Sequence, residues 1–119
     1  MIPVKICGIT NLDDAYFVIN KGASAIGFIF HQASPRYVSP ELATKIVTKM
    51  KDEVSFVGVF VNEELDHVNE IAKKVGLDFI QSFYINRRHV NCVAYIPVLE
   101  KVDNLISHGD CDFFLGLFG

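Results

Sequence analysis

Phe56-Val57-Gly58-Val59-Phe60-Val61, followed by a helix-spaced run over residues 63–75, then Gly76 and the apolar stretch Leu77 to Gln81, decides the fold. An almost continuously apolar run of this length is expected of a strand covered on both faces, as in a parallel sheet. Leu65, Val68, Ile71 and Ala72 recur at helical spacing, so the run predicts an amphipathic helix with those residues inward and Gly76 as its stop. Leu77 to Gln81 is then a further strand, the fourth of the chain.

Working outward, the preceding units repeat the pattern. Ala25-Ile26-Gly27-Phe28-Ile29-Phe30 reads as a second covered strand. Ser39-Pro40-Glu41 supplies an N-cap serine with proline at the first helical position, and Leu42, Ala43, Ile46, Val47 and Met50 mark one helix face. At the start, Val4-Lys5-Ile6-Cys7 is a short strand. Asn11 then caps a helix with an acidic first turn at Asp13 and Asp14, whose apolar positions are Ala15, Tyr16, Val18 and Ile19, and Gly22 ends it. Strict strand–helix alternation predicts an α/β architecture with a parallel sheet or barrel. Past Gln81 the pattern weakens. A fifth strand is expected at 92–96, a short helix at 99–107 and a sixth strand at 112–115. No linker divides the chain, so residues 1–119 are expected to form one domain.

Composition narrows the function. Half of the 119 residues are apolar, enough for a core, and with 21% charged residues and a net charge of -3 there is no basic field for nucleic acid or an anionic membrane. The longest apolar runs fall far short of the roughly 20 residues that span a bilayer. No leader-like segment precedes the first strand, so the cytoplasm is the expected location. Cys7, Cys92 and Cys111 show no C-x-x-C pairing and are expected to be free thiols. His67, His89 and His108 share no ligand spacing, and no metal is expected.

Three stretches carry a resemblance: Val4-Lys5-Ile6-Cys7-Gly8-Ile9-Thr10 with Asn11 after it, Ser34-Pro35-Arg36-Tyr37-Val38-Ser39-Pro40, and Val57-Gly58-Val59-Phe60-Val61-Asn62. In this order and separation they resemble the phosphoribosylanthranilate isomerases of tryptophan biosynthesis. The likeness covers 1–81 closely, including Gly22-Ala23, Gly27-Phe28 and Gly76-Leu77-Asp78, and becomes patchy over 82–119. It implies a (β/α)8 TIM barrel, of which this length holds only about five to six βα units, since a whole barrel takes at least about 200 residues.

The reaction that the resemblance implies is an Amadori rearrangement of N-(5'-phosphoribosyl)anthranilate to 1-(2-carboxyphenylamino)-1-deoxyribulose 5-phosphate, an aldose–ketose isomerisation without a cofactor. A general acid opens the furanose and a general base removes the C2' proton, so two proton-transfer groups are needed. By resemblance the base is Cys7, at the C-terminal end of the first strand, where barrel active sites are built. Taken alone, a strand cysteine is more often a small buried hydrophobe. A thiol is mostly protonated at neutral pH, so a catalytic one needs donors or positive charge nearby. Lys5, two residues back, should point to the same side of the sheet.

Arg36 matches the arginine that pairs with the anthranilate carboxylate, a task its planar fork suits. Without that context it is a solvated loop arginine. Gln81 either touches substrate or simply ends an apolar strand. Asp13 and Asp14 read as helix N-terminal charges and His31 as a loop residue. The implied partner is the phosphosugar-anthranilate substrate, with the protein a monomer or homodimer.

The pattern also breaks. The family continues the matching glutamine with Leu-His-Gly and an acid, whereas Gln81 runs into Ser82-Phe83-Tyr84. The family's general acid is an aspartate closing strand six, whereas Phe113-Phe114-Leu115 is followed by Gly116. No general acid is found, and Asp110 and Asp112 precede that strand. The glycine-rich phosphate loops of strands seven and eight have no counterpart. A non-catalytic barrel fragment acting only by association is the alternative expectation.

Overall fold

A computed structural model describes residues 3–85 and 90–97 of the chain, with side chains through Phe83. The order is β1 (Lys5–Cys7), α1 (Leu12–Asn20), β2 (Ala25–Ile29), α2 (Pro40–Met50), β3 (Ser55–Val61), α3 (Leu65–Val75), β4 (Phe79–Ile85) and β5 (Val90–Pro97). The strands form one sheet in sequential order, with β1 to β4 parallel and β5 antiparallel to β4.

Local chemistry sets the helix ends. The Asn11 side chain accepts from the Asp14 backbone N–H at 2.8 Å, and Ser39 Oγ accepts from that of Leu42 at 3.2 Å, each satisfying a donor the first turn would leave unpaired. Pro40, which lacks the donor, sits in the first turn of α2. Gly76 ends α3 at φ +85, in the left-handed region that favours glycine, with its N–H on the Ala72 carbonyl at 3.0 Å.

Register divides the strand residues into two faces. Ile6, Ile26, Phe28, Phe56, Gly58, Phe60 and Ile80 alternate onto one. There Ile26, Phe28, Phe56, Phe60 and Ile80 form the core with Ala15 of α1, Ala43, Ile46, Val47 and Met50 of α2, and Val68, Ile71, Ala72 and Val75 of α3. The opposite face carries Lys5, Cys7, Ala25, Gly27, Ile29, Val57, Val59, Val61, Phe79, Gln81 and Phe83. Below this sheet, at the N-terminal strand ends, Asp78 takes the Phe56 N–H on its carboxylate at 2.9 Å and returns its own N–H to the Phe56 carbonyl at 2.8 Å.

Several expectations need correction. The fourth strand extends to Ile85 instead of stopping at Gln81, running through Ser82 without a break. A fifth strand forms, but it reverses direction. Only four residues separate Ile85 from Val90, and a parallel return needs a crossover of roughly a dozen or more, so a hairpin is the only connection that fits. The described residues hold three βα units and a terminal hairpin; the helix expected at 99–107 and the strand at 112–115 lie outside them. Leu42 is 39% and Leu65 46% exposed although both were expected inward. Leu42 sits one residue, about 100° around the helix, from the buried stripe that begins at Ala43. Leu65 opens α3, and helical side chains lean toward the N-terminus, so its own overhangs the helix end. Tyr16 is likewise 41% exposed, because α1 covers β1, an edge strand with a neighbour on one side only.

Candidate functional site

Cys7 ends β1 half-buried, directly beside Gly27 of β2. A Cβ placed on Gly27 would stand 3.0 Å from Cys7 Sγ and 3.3 Å from its Cα, so the missing side chain is what gives the thiol its seat. A glycine in a strand interior often marks such a close approach. The chain then turns at Gly8, whose φ of +85 is in the left-handed region. Gly8 and Ile9 both donate their N–H groups to the Gly27 carbonyl, at 3.0 and 3.1 Å, tying the turn to β2.

Arg36 reaches the same place from the loop after β2. That loop is folded on itself by Ser34 N–H to the His31 carbonyl at 3.0 Å, Tyr37 N–H to the Ser34 carbonyl at 3.1 Å and Arg36 N–H to Ser34 Oγ at 3.1 Å. Tyr37 bridges Ile29, and Val38 N–H donates to the Ile29 carbonyl at 3.0 Å, which fixes the loop's return. The Arg36 side chain consequently packs over Gly8, its Cδ 2.7 Å from the position a Cβ there would take. Arg36 is exposed, so its guanidinium is accessible to a carboxylate at the end of β1.

Gln81 of β4 is only 8% exposed, and its Oε1 accepts a hydrogen bond from Lys5 Nζ. An ammonium has donors alone, so this contact fixes which end of the amide faces the lysine. In register, β1 and β4 are three strand intervals apart, about 14 Å at roughly 4.8 Å each. Side chains that stand perpendicular to a flat sheet would not meet across that gap. The sheet is therefore curled with the face of Lys5, Cys7 and Gln81 concave. Burial pushes the Lys5 ammonium below its ordinary pKa of 10.5, and the charge on Cys7 opposes that shift.

Other candidates stay apart. Asp14 is engaged with Asn11, whose Nδ2 donates to its carboxylate at 2.9 Å. His31 lines a cleft of about 550 Å3 with Tyr37, His67, Glu70 and Ile71, between the loop after β2 and α3. A larger cleft of about 840 Å3, lined by Lys51, Asp52, Glu53, Ser55 and Asp78 among others, lies at the N-terminal strand ends, the end that in barrels serves stability. The concave face of β1 to β4 carries no carboxylate among the described residues. Asp110, Asp112 and Cys111 lie outside them. No group of three His, Cys, Asp or Glu that would hold a metal occurs among the described residues, and no described helix is long and apolar enough to cross a membrane. Gly27 was not singled out as a site residue in the sequence, although an isolated glycine in an apolar strand was the signal for it.

The sequence model of N-(5'-phosphoribosyl)anthranilate (PRA) isomerase matches residues 4–92. The N-(5'-phosphoribosyl)anthranilate isomerase of Citrifermentans bemidjiense is 51% identical over 81 residues, covering 68% of this chain and 39% of that protein. The crystal structure of phosphoribosyl anthranilate isomerase from Thermotoga maritima superposes with a TM-score of 0.69 at 46% identity, covering 72% of this chain and 42% of that one. Similar to the same extent, over 44% of its own length, is a phosphoribosyl anthranilate isomerase in complex with reduced 1-(o-carboxyphenylamino)-1-deoxyribulose 5-phosphate. The chain thus spans about two fifths of the length of the relatives it matches.

Proposed function

This chain belongs to the N-(5'-phosphoribosyl)anthranilate isomerase family, and from that membership we propose that it serves the Amadori rearrangement of N-(5'-phosphoribosyl)anthranilate in tryptophan biosynthesis, in the cytoplasm, as a monomer or homodimer. Cys7 is the general base that takes the C2' proton of the ring-opened Schiff base. Arg36 holds the anthranilate carboxylate, and Gln81 offers its amide to the substrate from across the concave face. The observation that carries the reading is the convergence at one strand end of the thiol seated on Gly27 and the guanidinium packed over Gly8. Each comes from one of the stretches that resemble the family.

Ring opening needs a proton donor as well, and the concave face of β1 to β4 presents no carboxylic acid for that role among the described residues. That observation, with the reversal of β5, favours a second reading: a barrel segment that acts only by association. Complementation of an isomerase-deficient tryptophan auxotroph decides between them. Growth with the chain, lost in Cys7→Ala, is the expected result. Equal growth with Cys7→Ala refutes the base assignment. No growth, together with association as an oligomer, supports the second reading.

A further inference from the structure

The concave face of β1 to β4 has two titratable groups among the described residues, Lys5 and Cys7, both on β1. Two residues apart on one strand, they point the same way. β2 offers Ala25, Gly27 and Ile29 toward them, β3 offers Ser55, Val57, Val59 and Val61, and β4 offers Phe79, Gln81 and Phe83. None of these carries a charge. Among the described loop residues Arg36 packs over Gly8, the residue that follows Cys7, and brings a positive charge to that strand end. The small residues Ala25 and Gly27 beside Lys5 and Cys7 in register leave the long lysine stem a path over β2, and it ends on the Gln81 amide oxygen.

We propose that Lys5 is a positioning residue for the proton abstraction assigned to Cys7: its ammonium favours the thiolate, and its hydrogen bond to Oε1 holds the Gln81 amide with the Nε2 donors turned away from the lysine and toward substrate. The inference rests on the isomerase reading for its purpose, but its physical content stands apart from turnover. An ammonium has three donor hydrogens, enough to serve an amide oxygen and a thiolate together. Attraction between opposite charges is mutual, and a thiolate at Cys7 opposes the loss of the Lys5 proton. Lysine is suited to this face because its compact charge sits on a flexible stem that also packs along apolar neighbours.

The test is the rate at which iodoacetamide alkylates Cys7 in the full chain carrying Cys92→Ser and Cys111→Ser, read by peptide mass. At pH 7, Lys5→Met is expected to slow alkylation severalfold, because the substitution removes the ammonium that favours the reactive thiolate. At pH 10, where thiols are ionised in both chains, the rates are expected to agree. Lys5→Arg, which keeps the charge, should recover most of the pH 7 rate. Lys5→Gln is the second variant should Lys5→Met fail to fold by circular dichroism. Equal rates at pH 7 overturn the proposal. So does the same slowing at both pH values, which would mean altered access to the sulfur and no electrostatic role. If the alkylation result holds and auxotroph complementation fails, the isomerase reading falls while the coupling of Lys5 to Cys7 stands.

Discussion

Replacing Gly8 by alanine separates backbone strain from side-chain placement at the end of β1. Gly8 has φ +85, and an L-residue held in the left-handed region costs about 1–2 kcal/mol. The new Cβ would stand 2.7 Å from Arg36 Cδ, where carbon atoms normally pack at about 3.5–4.0 Å, so the arginine must retreat by about 1 Å. Arg36 is exposed, and its flexible chain moves at little cost to stability. The two consequences therefore fall on different measurements. Urea unfolding of Gly8→Ala should show a loss of about 1–2 kcal/mol, with the slope unchanged. Binding of reduced 1-(o-carboxyphenylamino)-1-deoxyribulose 5-phosphate should weaken by about ten- to a hundredfold, the worth of a charge-assisted contact of about 1.5–3 kcal/mol. In an Arg36→Ala background the stability loss should persist within about 0.5 kcal/mol, while the binding effect disappears. An unchanged urea midpoint for Gly8→Ala would refute the strain argument. A stability loss that vanishes with Arg36→Ala would assign the cost to the clash instead.

Gly58 tests the helix-covered face in the same way: a Cβ there would lie 2.4 Å from Leu77 Cδ1, 3.0 Å from Phe60 Cε2 and 3.2 Å from Phe30 Cε2. Gly58→Ala should cost about 1–3 kcal/mol by overpacking and be partly rescued by Leu77→Ala; a parental midpoint in urea sinks that account. Lys5 gives a pH dependence with a definite sign. Its folded pKa is lowered below 10.5, so the unfolded chain binds more protons in that window, and this group's burden on stability at neutral pH is relieved as pH rises through the folded value toward 10.5. The stability of Lys5→Met relative to the parent should accordingly be greatest near pH 7 and shrink toward pH 10.5, and a gap that widens over that range contradicts the assigned cause.

What was legible in the sequence was local. Asn11, Ser39-Pro40 and Gly76 mark helix ends because each acts on donors or dihedrals within four residues of itself. The two covered strands, Ala25 to Phe30 and Phe56 to Val61, read from composition alone. Position across the sheet did not. Arg36 meets Gly8, 28 positions earlier, through a loop whose turns depend on Ser34 and on the bridge to Ile29, and no periodicity encodes that. Lys5 and Gln81 are 76 positions apart and touch only because the sheet curls. β4 was expected to end at Gln81 because the apolar stretch reads as finished there, yet Ser82 and Phe83 pair with Phe60 and Val61 as ordinary strand residues. A short connection then decided the direction of β5, which strand composition by itself leaves open.

The reversal at β5 also bears on what makes the concave face. β5 occupies the edge of β4 where the next parallel unit of a barrel would pair, so closure of a ring does not impose curvature on the described strands. The curl that lets Lys5 reach Gln81 is present nonetheless. Its source must lie in the parallel units: the right-handed twist of each strand and helices packed on one face only. Cys7, Arg36 and Gln81 all sit on or against β1 to β4, so their placement requires that local curvature and nothing from a completed ring. Groups supplied by later strands have no such independence, because the hairpin removes the edge on which those strands would be built. The residues proposed as base and carboxylate anchor thus lie in or against the parallel units, ahead of the reversal that follows Ile85.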